Sequence, residues 1–500
     1  MNDVIVVSII DNIHFKIFCG EDQSYELAEF FTCYAADYRH NPKFKAGIWN
    51  GKISFFNRSD HLLPIGLLRF LKPFLEQYNY KIQLTFNEFE LKNDISKEDL
   101  EGFYDVLFSM SDITLRDYQK DAVYAALRNK RGVVESATGS GKSILIYTVI
   151  RFILEDIDSK ILLVVPNIGL VTQMYDDFKK YGWGTASTDI SLLYGKSVFY
   201  DKTRPVLIST WQSIYKRGSD FFSDFGAVLV DETHGAKSAS IQSVLSKCVN
   251  ASYRLGFTGT LPEDTADIFN IYGYLGHKIY SLESKTLIER GFLSNITIVN
   301  LFLKHNQDEI DKIAGKTYAD EVSVITKNPK RNNVLRYIIG NINEDHNVLV
   351  LCHKLDHLDS MVEYITETFP NRPLFVIHGG IPAEKREAIR TNMEEYDGAI
   401  LIATYGTMST GINIPKLHSV IFASFYKSKI KVLQSIGRGL RLHKTKSRVI
   451  VWDLIDDMHY VDEYGHRLPN YAIRHFYKRL AYYDKQEFPY INRHKTIDEL

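Results

Sequence analysis

The run Ser136-Ala137-Thr138-Gly139-Ser140-Gly141-Lys142-Ser143 carries the residue types and spacing for holding phosphate. It follows the apolar pair Val133-Val134 and precedes an apolar stretch, Ile144 to Leu154, that reads as a helix. A glycine loop between a strand and a helix aims successive backbone N–H groups and a helix N-terminus at one point, which suits an anion. Lys142 would reach β- and γ-phosphates, and the Ser143 hydroxyl would hold Mg²⁺. The strict pattern begins with glycine, and here that place is Ser136.

Further on, Ala227 to Val230 is a buried-strand pattern running into Asp231-Glu232-Thr233-His234. That puts two carboxylates at the C-terminal edge of a parallel sheet, where α/β sheets bind ligands. Asp231 would bind Mg²⁺ through water, and Glu232 would orient and deprotonate an attacking water. Arg254 to Phe257 is another strand, ending in Thr258-Gly259-Thr260. His234 has no second ligand spaced for zinc, so it is expected to couple the nucleotide site to Thr258 or Gln434. Upstream, Leu115-Arg116-Asp117-Tyr118-Gln119 opens a helix, and a glutamine amide matches the edge of adenine. Far downstream lies Gln434-Ser435-Ile436-Gly437-Arg438-Gly439-Leu440-Arg441, with two arginines about one turn apart near a helix start. Such a pair suits phosphate and can act as arginine fingers. It reaches the same nucleotide only if two separately folded lobes face each other.

The elements that position these residues alternate strand and helix. Ile161 to Val165, ending at Pro166, and Val206 to Thr210, capped by Trp211-Gln212, continue the first series. Asn347 to Cys352, Leu374 to Ile377 ahead of His378, Ala399 to Thr404 and Ser419 to Phe422 make a second. Five hundred residues exceed one core, so several domains are expected. The composition, 45% hydrophobic and 24% charged, is that of a soluble globular protein. A net charge of −1 means that any polyanion-binding surface is local. The four cysteines lie far apart, which argues against zinc or disulfide frameworks and fits a reducing compartment. Apolar runs are too short to span a membrane, and no signal-peptide pattern or internal repeat is visible.

In the first hundred residues, Val4 to Ile10 and His14 to Phe18 read as strands and Glu26 to Phe31 as a helix. From Tyr38 to Arg58 there is no acidic residue, but five Lys/Arg and five aromatics. Arg39, Lys43, Lys45, Trp49 and Lys52 in this run suit a nucleic-acid surface. The same rings would equally serve as the core of a small domain. Asn50-Gly51 reads as a hairpin turn. Ile65 to Tyr78 reads as an amphipathic helix bent near Pro73, and Asn93 to Asp99 as a linker. Ser281 to Ser294 reads as a bridging helix with a glycine stop. The stretch from His305 to Lys330 reads as loop or short helices. After His459 the chain is aromatic and basic, which fits a terminal helix packed on the second lobe or one that contacts DNA.

Taken in order, this set resembles superfamily 2 helicases from Leu115 to Leu442. More narrowly, Tyr38 to Lys52, Leu62 to Leu67, Thr210-Trp211-Gln212 and Val451 to Asp457 resemble the branched-DNA helicases of T-even phages, over nearly the full length. The resemblance implies an α/β fold: two tandem RecA-like parallel-sheet lobes preceded by a small α+β N-terminal domain, with a short helical C-terminal tail. The expected boundaries are 1–95 for substrate binding, 96–284 and 285–458 for the lobes, and 459–500 for the tail. It implies an ATP-dependent DNA helicase with Mg²⁺ as cofactor, working on forks, D-loops, R-loops and Holliday-type junctions in recombination, repair and replication restart.

By motif, Arg116, Gln119, Thr138, Gly139, Ser140, Gly141, Lys142, Ser143 and Gly411 bind nucleotide, and Ser143 and Asp231 bind metal. Asp231, Glu232, Gln434, Arg438 and Arg441 join Lys142 in catalysis, and His234, Thr258 and Thr260 couple the lobes. Pro166, Thr210, Trp211, Gln212, Lys354, His378 and Thr404 are candidate nucleic-acid contacts. Asn413 stands where many relatives carry an acid. A monomeric, membrane-free motor in the cytoplasm, the host's if phage-encoded, is expected. The rival readings are a double-strand translocase, an RNA helicase and a nucleotide-gated clamp that binds junctions without doing work.

Overall fold

The computed structural model describes residues 4–87, 91–195, 200–408 and 414–500. By internal contacts the chain forms two compact units, one of Met1–Ser136 with Gly141–Leu282, the other of Glu283–Leu500 with Ala137–Ser140.

The first unit begins with strands β1 (Val4–Ile9), β2 (His14–Phe18), β3 (Thr32–Tyr34), β4 (Lys52–Ser54), β5 (Leu62–Pro64) and β6 (Lys81–Leu84). Four of them form a sheet in the order β5-β2-β1-β6, with β1 and β6 parallel and the other pairs antiparallel. The expected helix after β2 starts earlier, at Glu21, and runs to Phe30. Asn50-Gly51 is not a two-residue hairpin turn. Strands β3 and β4 pair across a long excursion that holds a 3-10 helix (Tyr38–His40) and a short α-helix (Pro42–Lys45). The expected Ile65–Tyr78 helix is a 3-10 helix, Ile65–Phe70, followed by an α-helix, Leu71–Tyr78. Pro73 lies in the first α-turn, where its missing N–H costs nothing, so it does not cause the bend.

This small sheet is joined tightly to a later helix of the same unit, Thr265–Leu275. Phe269 of that helix packs on Phe31, Phe55 and Phe70. Gly66 lies so close to the Tyr272 carbonyl that a Cβ there would stand 1.7 Å from its oxygen. The expected linker is pinned too: the Asn93 amide group donates to the Leu127 carbonyl at 3.0 Å, and Ser96 caps the helix Lys97–Leu107.

The larger sheet of this unit holds β7 (Arg131–Ser136), β8 (Lys160–Val165), β9 (Ile190–Leu193), β10 (Val206–Thr210), β11 (Phe225–Asp231), β12 (Tyr253–Thr258) and β13 (Lys278–Leu282). All are parallel, in the order β13-β7-β12-β11-β8-β10-β9. Every residue of β11 and β12 is buried, as expected of central strands covered on both faces.

The second unit repeats the plan with β14 (Asn295–Lys304), β15 (Val348–Cys352), β16 (Leu374–Ile377), β17 (Ile400–Thr404), β18 (Ser419–Phe422) and β19 (Arg448–Asp457), followed by a small hairpin, β20 (Tyr460–Val461) and β21 (Arg467–Leu468), and by β22 (Tyr490–Thr496). The parallel order is β16-β17-β15-β18-β19-β14-β22. Between Leu282 and β14 the expected long helix is a short one, Ser284–Glu289. The polar stretch after β14 folds into the helices Gln307–Asp311 and Tyr318–Thr326. The tail is more than a helix: after Tyr471–Lys485 the chain adds β22 to the sheet edge.

Two buried acids on β19 hold this unit together. Residues along a strand alternate faces. Asp453 accepts two 2.8 Å hydrogen bonds from Arg479 and one of 2.9 Å from Tyr483, both on the tail helix. On the opposite face Asp456 accepts from Arg331 at 2.9 Å and lies 3.0 Å from His305 Nε2. Arg331 and His305 hold the Asp456 carboxyl well below the usual carboxylate range, despite its burial. Its stabilising contribution is therefore complete above the ordinary carboxylate range and fades only as pH falls through the depressed value. Replacing it by Asp456→Asn leaves the Arg331 charge buried without its partner. The expected loss is about 3–5 kcal/mol, read as a lowered urea midpoint for the second unit.

Candidate nucleotide site and nucleic-acid-facing edges

Three strand ends build the candidate nucleotide site. Strands β7, β12 and β11 are consecutive neighbours, so Ser136, Thr258 and Asp231 end at one edge, spread over two strand spacings of about 5 Å each. After β7 the chain turns through Gly139 (φ +90°) and Gly141 (φ +91°) into the helix Lys142–Asp156. These two positions are where the loop needs glycine. Ser136 is the last residue of β7 and is not at positive φ, so a side chain is tolerated where the strict pattern has glycine. The loop therefore has the backbone form of a phosphate cradle, with Lys142 and Ser143 in the first turn of the helix.

Asp231 is buried. Desolvation and the neighbouring Glu232 push its carboxyl up to about 7, against the pull of Lys142 and His234. A buried carboxylate whose charge is only partly offset by its neighbours is a group that fits a divalent cation. Glu232 sits at φ +50°, ψ +53°, a left-handed conformation uncommon for a residue with a side chain and of the kind stored at functional sites. Its carboxylate lies 3.3 Å from His234 Nδ1, and that nitrogen lies 3.4 Å from the Thr258 hydroxyl. Thr258 in turn donates to the Thr260 carbonyl at 3.0 Å. The structure thus places Glu232, His234, Thr258 and Thr260 in one chain of contacts.

Gln119 is buried rather than exposed. Its Oε1 accepts from the Arg116 backbone N–H at 2.9 Å, and its Nε2 lies against Gly141. Arg116 donates to the Tyr118 hydroxyl at 2.8 Å. Tyr181 was not foreseen. Its hydroxyl lies 2.8 Å from the Ser143 hydroxyl, a contact made by a distant helix end that no local pattern announces.

At the same edge, Pro166 and Thr210 follow or end the paired strands β8 and β10, and the Gln212 amide group donates to the Pro166 carbonyl at 3.4 Å. Trp211 opens the helical turn that follows β10 and includes Gln212. In the second unit, Lys354, His378 and Thr404 follow or end the neighbouring strands β15, β16 and β17 and so share one edge. Gln434 and Arg438 lie in the helix Lys429–Gly439, both largely buried, and Arg441 follows it. The arginines are therefore at a helix end, not a start, because the helix begins back at Lys429. Lys446, in the lysine- and arginine-containing stretch after this helix, is not solvated. It is buried and donates to the Pro415 and Gly439 carbonyls at 2.7 and 2.8 Å. Gly411 and Asn413 lie outside the described residues.

In the N-terminal sheet region the basic, aromatic run divides. Phe56 is buried in the core, and Phe55 packs on Phe269. Tyr34 at the end of β3 and Tyr38 on the excursion stack at 4.5 Å, with Lys52 5.4 Å from the Tyr34 ring and Arg39 5.7 Å from the Tyr38 ring. Lys43 and Lys45 are exposed beside them, and Trp49 donates to the Lys52 carbonyl at 2.9 Å. Tyr34, exposed and outside the charged run, was missed by composition alone.

The family models match in the same order: the UvsW DNA helicase N-terminal family over residues 4–85, the type III restriction enzyme res subunit over 112–263 and the helicase conserved C-terminal domain over 329–443. The chain is 33% identical over 518 residues to the ATP-dependent DNA helicase uvsW of Enterobacteria phage T4, covering 99% of each. It belongs to the UvsW family of ATP-dependent DNA helicases. The crystal structure of T4 UvsW aligns with 99% of both chains at 31% identity and a TM-score of 0.53. A more distant relative, the DNA 3'-5' translocase XPB2 of Sulfurisphaera tokodaii, is 23% identical over 370 residues, 68% of this chain and 81% of its own. Among the described residues no helix is long and apolar enough to cross a membrane.

For this UvsW-family chain, Glu232→Gln keeps the shape of the strained turn and removes the carboxylate that would serve as base. Its kcat for ATP hydrolysis is expected to fall by about 10²–10⁴-fold with nucleotide affinity retained. Steady-state hydrolysis together with fluorescent-nucleotide binding checks this, and a variant with unchanged kcat would remove Glu232 from the chemistry.

Proposed function

We propose that this chain drives branch migration and strand separation on branched DNA, including forks, D-loops, R-loops and Holliday-type junctions, in recombination, repair and replication restart. The observation that carries the reading is the convergence of the glycine loop, Asp231-Glu232 and the His234–Thr258 contact at one sheet edge, in a chain of this family. ATP with Mg²⁺ supplies the phosphoanhydride whose hydrolysis powers the cycle. The backbone N–H groups around Gly139 and Gly141, with Thr138 and Ser140 beside them, cradle the phosphates, and Lys142 neutralises them. Ser143 and Asp231 would hold the metal, and Ser143 must then exchange its Tyr181 partner. Glu232 orients and deprotonates the water. His234 carries the state of Glu232 to Thr258 and Thr260.

Gln434, Arg438 and Arg441 stabilise the transferring phosphoryl group in this reading, on the support of their motif. Arg116 and Gln119 position the base. Because Gln119 already caps its own helix, its amide group is held in a fixed orientation before nucleotide arrives.

Pro166, Thr210, Trp211, Gln212, Lys354, His378 and Thr404 track a nucleic-acid backbone from the strand ends, so sequence preference is weak. Arg39, Lys43, Lys45, Trp49 and Lys52 grip the substrate at the N-terminal excursion, with Tyr34 and Tyr38 as stacking rings. The motor works as a monomer in the cytoplasm, the host's if phage-encoded, and accepts RNA–DNA hybrid where an R-loop presents it.

Hydrolysis and strand separation on single-stranded DNA, blunt duplex, a four-way junction, an R-loop and RNA duplex test the reading. Turnover with separation on the junction and R-loop is expected. Turnover on blunt duplex without separation would make the chain a translocase, activity confined to RNA would change the substrate, and binding without turnover would leave a clamp. Lys142→Ala is expected to cut hydrolysis at least about 100-fold while junction binding persists. Removing Lys43, Lys45 and Lys52 together as alanines is expected to lower junction affinity and flatten its salt dependence by about one slope unit per lysine. An unchanged slope would place the N-terminal contact elsewhere.

A further inference from the structure

A cavity of about 620 Å³ lies where the N-terminal sheet meets the parallel sheet of the first unit, away from the nucleotide site. Its volume falls in the range of ligand pockets, about 300–1,000 Å³. The floor is aliphatic, with Leu68, Leu75, Ile82 and Leu84 among its lining residues. Arg69, Lys72, Lys92 and Arg131 supply positive charge around it, and among the described residues no carboxylate lines it. Nor does a phenyl, phenol or indole ring, which removes the stacking platform that single-stranded bases use.

The positive charge is poorly compensated. Arg131 donates to the Asn12 carbonyl, and Arg254 behind it donates to the Tyr274, Cys248 and Leu245 carbonyls, so neither guanidinium is paired with a described carboxylate. Asp11, the acid that acts on both, already accepts from the Ile13 and His14 backbone N–H groups. Lys72 has Glu76 at 4.0 Å, an exposed pair. His277, at the cavity wall, is held below its ordinary value by burial and by the charges of Arg69 and Lys92.

The wall also offers backbone. Strand β6 supplies Ile82 and Leu84, which share one face at period two, and it is the outer strand of its sheet with β1 as its one neighbour among the described residues. An outer strand presents N–H and C=O groups that an extended peptide can pair with.

We infer that this cavity is a docking site for an acidic, extended segment of a protein partner, whose aliphatic side chains enter the floor while its carboxylates meet Arg69, Lys72, Lys92 and Arg131. The reading is independent of the nucleotide chemistry. Because the walls come from both the N-terminal sheet and the segments flanking β7, the partner engages a rigid junction rather than a mobile arm.

The test uses the full chain and a fluorescein-labelled peptide, Asp-Asp-Ile-Asp-Leu-Asp-Phe, with fluorescence anisotropy as the readout. Binding that disappears for the Asn-substituted peptide is expected. The double variant Arg69→Glu/Lys92→Glu and, separately, Ile82→Asp should each weaken it by about tenfold or more. Hydrolysis of ATP without DNA should be unchanged in both, which shows that they fold. Absence of binding, equal binding of the Asn peptide, or full binding by both variants overturns the proposal. Displacement of the peptide by a thymidine oligonucleotide with the wild-type chain also overturns it, by making nucleic acid the occupant.

Discussion

Asp231 is a carboxylate at the end of a strand buried throughout, and the rest of the site answers to the cost of putting it there. Burying such a charge is tolerable only with opposing charge close by. Lys142 and His234 supply part of it, and the carboxyl is still pushed well above its ordinary value, to about 7. The remaining deficit is what a divalent cation at this position would relieve. It also explains why the loop after β7 and the turn after β11 must arrive at the same edge: the lysine follows β7 and the carboxylate ends β11, two strands separated by β12 alone. A parallel sheet provides this because all its C-terminal ends face one way.

The same constraint accounts for the strain at Glu232. The chain has to leave the buried strand at Asp231, turn a carboxylate toward His234 and bury Thr233, whose hydroxyl donates to the Val230 and Phe257 carbonyls. A left-handed residue at 232 achieves this within one step. His234 then stands between a carboxylate on β11's turn and a hydroxyl on β12. Glu232 and the threonine pair are thereby linked through this one imidazole, by contacts of 3.3 and 3.4 Å.

Much of this was legible in the sequence because the chemistry is local. The glycine loop, the Asp-Glu pair and the Thr-Gly-Thr turn each come after an apolar strand, and strand runs in a parallel sheet are continuous enough to see. What the sequence hid is non-local. Tyr181 reaches Ser143 from the end of another helix, and Lys446 is drawn inside by the Pro415 and Gly439 carbonyls although Lys444, Thr445, Ser447 and Arg448 around it are exposed. The Asn50-Gly51 dipeptide looked like a hairpin because turn chemistry reports only its own residues, while the pairing partner of β4 lies on the far side of the excursion. Pro73 looked like a helix breaker, yet proline in a first turn breaks nothing.

The run Val451 to Asp457 shows how a recognisable pattern changes meaning once its neighbours are known. Its acids invite a functional reading, since carboxylates at strand ends often bind metal. Asp453 and Asp456 are spaced to point to opposite faces of β19, and each is taken by a buried arginine. Their role is to fasten the tail helix to one face and the helix Lys330–Gly340 to the other. Net stabilisation from such pairs is modest, because both ions lose their hydration. Their contribution is to specificity: a helix that docked in another register would bury Arg479 or Arg331 without a counter-ion. The tail's aromatic residues supply the burial, and the arginine fixes which face and which turn are buried. The tail's aromatic and basic residues, which along the sequence fit a packed helix or a DNA contact, are thereby divided, with Phe476 and Arg479 inside and Tyr477 and Lys478 outside.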